Sequence, residues 1–271
     1  EKKRFIEGQL DFNRVWIDTP ENHDSPERTI ARQVEERMKE RGVFAAVDIH
    51  NNTGQNPHYA CVGSSDWRHL KLASLFSRRA LLFHMPKGVQ TLTFARLCPS
   101  VTIECGLPGQ RYGAEHARDF LDACLRLNEI PDRPVHPDNL DLYRSIAIVS
   151  VPRGVTFSFD NDSSKTLNFP SEMDRLNFSE LPKGTLLAKI NAPDKASLSI
   201  VDEQGRDVAG QFVRMTKMEM RTARPVTPSM LTCKPEIVRQ DCLGYLMETV
   251  SLNAPKPPTA SMQTDGPALD G

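Results

Sequence analysis

A continuous apolar run, VFAAVDIH (43–50), follows a helix with no linker between them, and that junction restricts the fold more than any other feature of the sequence. The preceding segment, SPERTIARQVEERMKERG (25–42), carries Ser25 as N-cap, Pro26 at the first helical position and Gly42 as the stop. Its apolar residues Ile30, Val34 and Met38 stand at i, i+4 and i+8. An apolar run so placed predicts a strand buried on both faces of a parallel sheet. The pattern then repeats. HYACVG (58–63), ALLFHM (80–85) and SVTIEC (100–105) read as strands, SDWRHLKLASLFSRR (65–79) as a helix, and an amphipathic helix is expected from Ala114 to about Asn128. Such alternation predicts an α/β layer fold with a mixed, mostly parallel sheet flanked by helices over residues 1–135.

Past the proline-rich NEIPDRPVHPDN (128–139) the texture changes. From Leu140 to about Val250, short β-type runs such as YRSIAIVSV, VTFSFD, TLLAKI and SLSIVDEQG are divided by Gly, Pro, Asn and Asp, so a smaller all-β domain is expected over 140–250. Residues 253–271, rich in Pro, Ala and Gly, read as a disordered tail. There is no internal repeat.

Several partner classes are disfavoured. With 34 basic and 35 acidic residues in 271 the formal charge is −1, which supplies neither a basic face for nucleic acid nor a polybasic arm for a membrane. No run reaches the roughly 20 apolar residues of a membrane span, and no secretory signal is evident. The six cysteines (61, 98, 105, 124, 233, 242) form no C-x-x-C pair, the usage of reduced, buried thiols in a cytoplasmic protein. The chain opens on Glu1 rather than Met, so a fragment of a longer protein is expected. A small-molecule substrate remains.

Three segments could carry chemistry. In open α/β sheets ligands bind where strands end, and VDIHNNTG (47–54) ends a strand in His50 with Asp48 on the same face. A neutral His ring at such a place can hold Zn²⁺ while a carboxylate fixes its other nitrogen; equally, both residues could simply close the strand. VTIECG (101–106) brings Glu104 to the mouth of a second buried strand, where desolvation raises a carboxylate toward the range of a general base, although a charged strand end is the plainer reading. In DFNR (11–14), Arg14 and Asn13 suit recognition of a carboxylate, or Arg14 could pair with Asp11 to fix a loop. Arg96, ahead of the Glu104 strand, is a weaker candidate. The other histidines (23, 58, 69, 84, 116, 136) form no H-x-x-H or H-x-x-x-H pair, and there is no G-x-S-x-G elbow, P-loop or G-x-G-x-x-G.

Taken in order, DFNR, VDIHNNTG and TIECG resemble the D-x-N-R, D-[LI]-H and E-x-G segments of the succinylglutamate desuccinylase/aspartoacylase family, a branch of the zinc carboxypeptidase-like hydrolases. The likeness runs from Arg4 to about residue 190, where SSKTLNF and LPKGTLLAKI are similar to T-L-N-F and K-G-T-L-L-A segments of succinylglutamate desuccinylases. The resemblance implies a zinc-dependent amidohydrolase cleaving an N-acyl amino acid to an amino acid and a carboxylate. In it His50 would be the third zinc ligand, Asp48 its supporting carboxylate, Glu104 the catalytic glutamate, and Asn13 and Arg14 contacts to the substrate carboxylate. Arg4 and Arg96 match two further arginines at spacings offset by a couple of residues, Arg4 for substrate and Arg96 for the oxyanion. The family's C-terminal-domain tyrosine has no motif here that chooses between Tyr143 and Tyr245. Its first two zinc ligands come from an H-G-N-E-type segment upstream of D-x-N-R, which this sequence does not contain. The alternatives are a carboxypeptidase-like peptide hydrolase and a non-catalytic carboxylate-binding relative.

Overall fold

The computed structural model describes residues 6–252. Arg4 and the expected tail at 253–271 lie outside the described residues. The described residues begin with a loop, followed by α1 (Pro26–Arg41), β1 (Ala46–His50), β2 (Tyr59–Val62), α2 (Trp67–Phe76), β3 (Arg79–Leu82), α3 (Gln90–Phe94), β4 (Ser100–Glu104) and α4 (Arg111–Leu125). β5 (Asp141–Ser150) leads into β6 (Phe157–Ser158), β7 (Leu167–Asn168), β8 (Leu186–Ile190) and β9 (Ser199–Asp202). The remainder is α5 (Ala209–Phe212), β10 (Val213–Met215), β11 (Glu219–Thr222), β12 (Thr227–Ser229), α6 (Pro235–Gln240) and β13 (Gly244–Val250).

The larger sheet is mixed and runs β1-β4-β2-β3-β5-β13-β12, with β9 joining β5. β1 with β4, β2 with β3 and β3 with β5 are parallel. β4 with β2, β5 with β13, β12 with β13 and β5 with β9 are antiparallel. A second, five-stranded sheet follows the order β10-β11-β8-β7-β6. The change of texture near residue 140 therefore does not mark a change of sheet. β5 pairs with β3 through Asp141–Arg144 and with β9 through Ala147–Ser150, so the large sheet continues into the C-terminal part.

Alternation along the strands sorts the two faces. Ala60, Val62, Val101 and Ile103 point toward α2 and α4 and form one core with Leu70, Ala73 and Phe120. Tyr59, Cys61 and Leu81 take the opposite face with Phe83, Val89 and Met247. A cavity lined in part by Cys61, Leu81, Phe83 and Val89 opens on this second face.

The predicted helix α1 is present, while the burial expected of β1 is not. Ser25 does cap α1, accepting from the Arg28 amide, and Gly42 closes it with φ 65°. Yet Ile30 and Val34 are 49% and 36% exposed, and the inward residues are Ala31 and Arg28. Arg28 is held by Asp18 at 3.0 Å, Glu35 at 2.7 Å and the Val15 carbonyl at 3.2 Å, so its charge is matched where it is buried. β1 is not buried on both faces either, because it stands at the end of the described sheet and leaves Ile49 49% exposed. An apolar pattern reports what a surface can bury, while strand order decides whether a neighbour is there.

Candidate active site

β1 and β4 lie parallel with His50 opposite Glu104, and β2 runs antiparallel on the other side of β4 with Tyr59 opposite Glu104. Three strand ends thus converge on one carboxylate. Beyond them the turns are laced together: the Cys105 amide donates to the His50 carbonyl at 2.9 Å and the Asn52 amide to the Gly106 carbonyl at 2.9 Å. Gly54, which ends the polar NNTG turn, packs so closely on the Leu231 backbone that a Cβ there would lie 2.0 Å from its carbonyl oxygen. The turn after His50 is therefore a docking point for the C-terminal part of the chain, a purpose beyond merely reversing direction.

Glu104 is buried and accepts a hydrogen bond at 2.6 Å from the Asn52 side-chain amide. Burial, aided by the negative Asp48 nearby, lifts its carboxyl to about 7, with His50 and Asn52 opposing the rise. His50 Nε2 lies 3.1 Å from Asp48 and Nδ1 3.7 Å from Glu104, so the imidazole bridges two carboxylates. Asp48 thus lies on the same strand face as the ring and within reach of it.

The DFNR segment folds as a turn in which the Asn13 amide donates to the Asp11 carboxylate at 2.9 Å and the Arg14 amide to the Asp11 carbonyl at 2.8 Å. Arg14 Nη1 donates to the Asn13 carbonyl at 2.7 Å, and Nη2 reaches Asp241 at 3.5 Å. The turn is seated against Gly88, where a Cβ would come within 2.4 Å of the Arg14 carbonyl oxygen and where φ is +80°. Only glycine meets both conditions.

Asn13, Arg14, His50 and Glu104 line one cavity of about 250 Å³, a small-molecule space rather than a groove for an extended chain. Arg96 does not join them. It lies exposed just after α3 and is absent from the cavity lining, because its place in TFARLCPS falls in the turn leaving that short helix. The structure adds residues that sequence reasoning did not assign: Asn52, Asp241, Cys242 and Tyr245. Tyr245, on β13, is the cavity-lining tyrosine, and Tyr143 is not part of the lining. Burial pushes the Tyr245 hydroxyl well up and the Cys242 thiol to about 12, so both remain protonated donors at neutral pH. All six cysteines are unpaired, four of them buried and Cys124 and Cys233 half-buried.

Among the described residues, no group of three His, Cys, Asp or Glu side chains is arranged to hold a metal ion. The two nitrogens of His50 are directed at Asp48 and Glu104, so the donors present do not fit a three-ligand zinc site. No helix among the described residues is long and apolar enough to cross a membrane.

No protein-family model matches the sequence, and no curated protein sequence matches it. Solved structures do match. Succinylglutamate desuccinylase from Chromobacterium violaceum aligns with TM-score 0.56 at 17% identity, over 91% of this chain and 69% of that one. Murine aminoacylase 3 aligns with TM-score 0.54 at 16% identity, over 89% and 77%. The succinylglutamate desuccinylase/aspartoacylase from Rhodobacter sphaeroides aligns with TM-score 0.54 at 14% identity, over 89% and 68%. The central mixed sheet, its flanking helices and the second sheet make this chain one with the fold of the succinylglutamate desuccinylase/aspartoacylase structures.

Proposed function

We propose that the cavity hydrolyses the amide bond of an N-acyl amino acid, and that the chain is functionally akin to the aminoacylases and desuccinylases whose fold it shares. One observation carries this reading: the Asn13–Arg14 pair and the buried Glu104 open into the same amino-acid-sized space. Arg14 and Asn13 bind the free carboxylate of the substrate. Glu104, held by Asn52, takes a proton from water, whose oxygen attacks the amide carbon; as the C–N bond breaks, Glu104 returns the proton to the departing amine. His50, with Nδ1 3.7 Å from Glu104, faces the carboxylate that takes the proton. The sequence resemblance adds zinc with His50 as one ligand of three, and the described residues supply that one alone. Metal content and chelator sensitivity of the protein from its source decide that point.

The test is release of free amine from a panel of N-acyl amino acids. Glu104→Gln is expected to lower kcat/KM about 10³-fold with ligand binding retained, and undiminished turnover by this variant would overturn the assignment. Hydrolysis of dipeptides with none of acyl amino acids would transfer the site to the carboxypeptidase-like reading. Carboxylate binding without any turnover would transfer it to the non-catalytic one.

A further inference from the structure

One segment of the cavity lining is held in a strained backbone conformation. Met230, which lines the cavity, has φ +56°. Among the described residues other than glycine, only Asn161 and Phe178 share a positive φ. A side chain the size of methionine is strained in that region, and glycine would meet the turn without the cost. Met230 is nevertheless pinned on both sides. Its amide donates to the Asn56 side-chain oxygen at 3.1 Å, and the Leu231 amide donates to the Asn177 side-chain oxygen at 2.8 Å. Asn177 returns a hydrogen bond to the Leu231 carbonyl at 3.0 Å, and the Thr232 hydroxyl donates to the Thr53 carbonyl at 3.2 Å. Strain of this kind persists where contacts over-determine it, and it concentrates at ligand clamps. What this backbone delivers is the Met230 side chain, which packs against the apolar cluster containing Cys61, Leu81, Phe83 and Val89. Those four residues line the cavity too. Met230 therefore takes up space over the apolar part of a lining that is otherwise mixed, with Asn52, Thr102 and Ser145 among its polar members.

Resting on the reading of the site as an acyl amino acid hydrolase, we infer that Met230 is a specificity-determining residue, whose side chain sets how large an apolar group of the substrate the cavity accepts. That group is an aliphatic or aromatic substituent, carried either by the acyl chain or by the amino acid side chain. A thioether chain is unbranched and turns about three bonds, so it adapts to substituents of a few carbons and obstructs longer ones. Specificity by obstruction needs a side chain that is held in place, and the pinned backbone on both sides of Met230 holds it. Glycine at this position removes the obstruction and the strain together, alanine the obstruction alone.

The experiment follows binding, turnover and thermal unfolding on the full chain. Two series are titrated calorimetrically: glycine acylated with acetyl, butanoyl, hexanoyl and octanoyl groups, and the N-acetyl derivatives of glycine, leucine and phenylalanine. In Met230→Gly and Met230→Ala the affinity ratio of the largest to the smallest ligand is expected to rise at least tenfold in one series, which identifies the substituent that faces residue 230. Met230→Phe, which keeps a packed side chain, is expected to lower the ratio in the same series. Met230→Gly is expected to unfold at a higher temperature than Met230→Ala, because only glycine relieves the positive φ. Ratios that rise less than threefold in both series would overturn the inference, and a Met230→Gly protein no more stable than Met230→Ala would overturn the strain on which it rests. Amine release from the same ligands separates the two readings. A shifted ratio with no hydrolysis of any ligand would refute the hydrolase reading and leave the size limit standing, whereas hydrolysis with unmoved ratios would refute the size limit alone.

Discussion

β1 and β4 are neighbours in parallel register, alike in length and apolar character, yet they live in different surroundings. Ile49 of β1 is 49% exposed while its partner Ile103 on β4 is fully buried; His50 keeps 30% of its side-chain surface and Glu104 only 4%. Strand order makes the difference, since β4 lies between β1 and β2 and β1 has β4 alone among the described strands. The consequence is chemical as well as structural. An acid at the end of the enclosed strand is lifted toward neutrality, and a His at the end of the outer strand stays open to the cavity while bridging it to Asp48.

That contrast can be broken most forcefully at the paired isoleucines. Ile103→Ala is expected to cost about 3–4 kcal/mol in chemical denaturation, because the cavity it leaves is walled by Val101, Leu70 and Phe120. A loss below about 1 kcal/mol would show that β4 is not enclosed as described.

A smaller effect sharpens the electrostatic side. In the folded protein Glu104 titrates near 7, against about 4.5 unfolded, so the folded state holds its proton more tightly. The contribution is intact below pH 4.5 and is lost as pH rises through 7, a decline of roughly 3 kcal/mol across that window. Glu104→Gln is therefore expected to be more stable than the parent at pH 8 by on the order of 1–2 kcal/mol, with the gap closing toward pH 5. Stability curves of the two proteins that stay parallel from pH 5 to 8 would contradict the raised carboxyl.

The smallest change belongs to β1. Ile49→Ser should alter stability by no more than about 0.5 kcal/mol, since little apolar surface is lost from water-excluded contacts. A cost approaching that of Ile103→Ala would mean that something covers this strand in solution.

The same contrast explains how far the sequence could be read. The limits of α1 were legible because caps are local, as Ser25 and Gly42 show, whereas α4, which has no side-chain cap, runs from Arg111 to Leu125 rather than from Ala114 to about Asn128. Which side chains share a face was legible too, since a period of two puts Asp48 with His50 and Thr102 with Glu104 whatever the strand order. What α1 and β1 pack against was not, because Ile30, Val34 and Ile49 carry an apolar pattern that says nothing of neighbours. The site divides likewise. Asn13, Arg14, His50 and Glu104 lie in compact motifs and meet in one cavity, whereas Asp241, Cys242 and Tyr245 come from a segment nearly 140 residues beyond Glu104 in the chain, with no motif around them. Arg96, which its segment placed only approximately, lies exposed after the short α3 and outside the cavity lining. Asn52 had a readable signal, an amide two residues past the strand-ending His50, which the turn-forming character of NNTG concealed.

β5 has a consequence for how the molecule comes apart. One edge is shared between β3 and β9, and the other is zipped to β13 along Leu142–Val149, so each register holds the next in place. Peeling away the C-terminal strands would strip β5 and expose β3 in the same event. The carboxylate on β4 and the tyrosine on β13 therefore sit within a single cooperative unit, whose slowest-exchanging amides should fall on β5. Damage to either half is then felt at the cavity as loss of the whole fold rather than as a loosened wall.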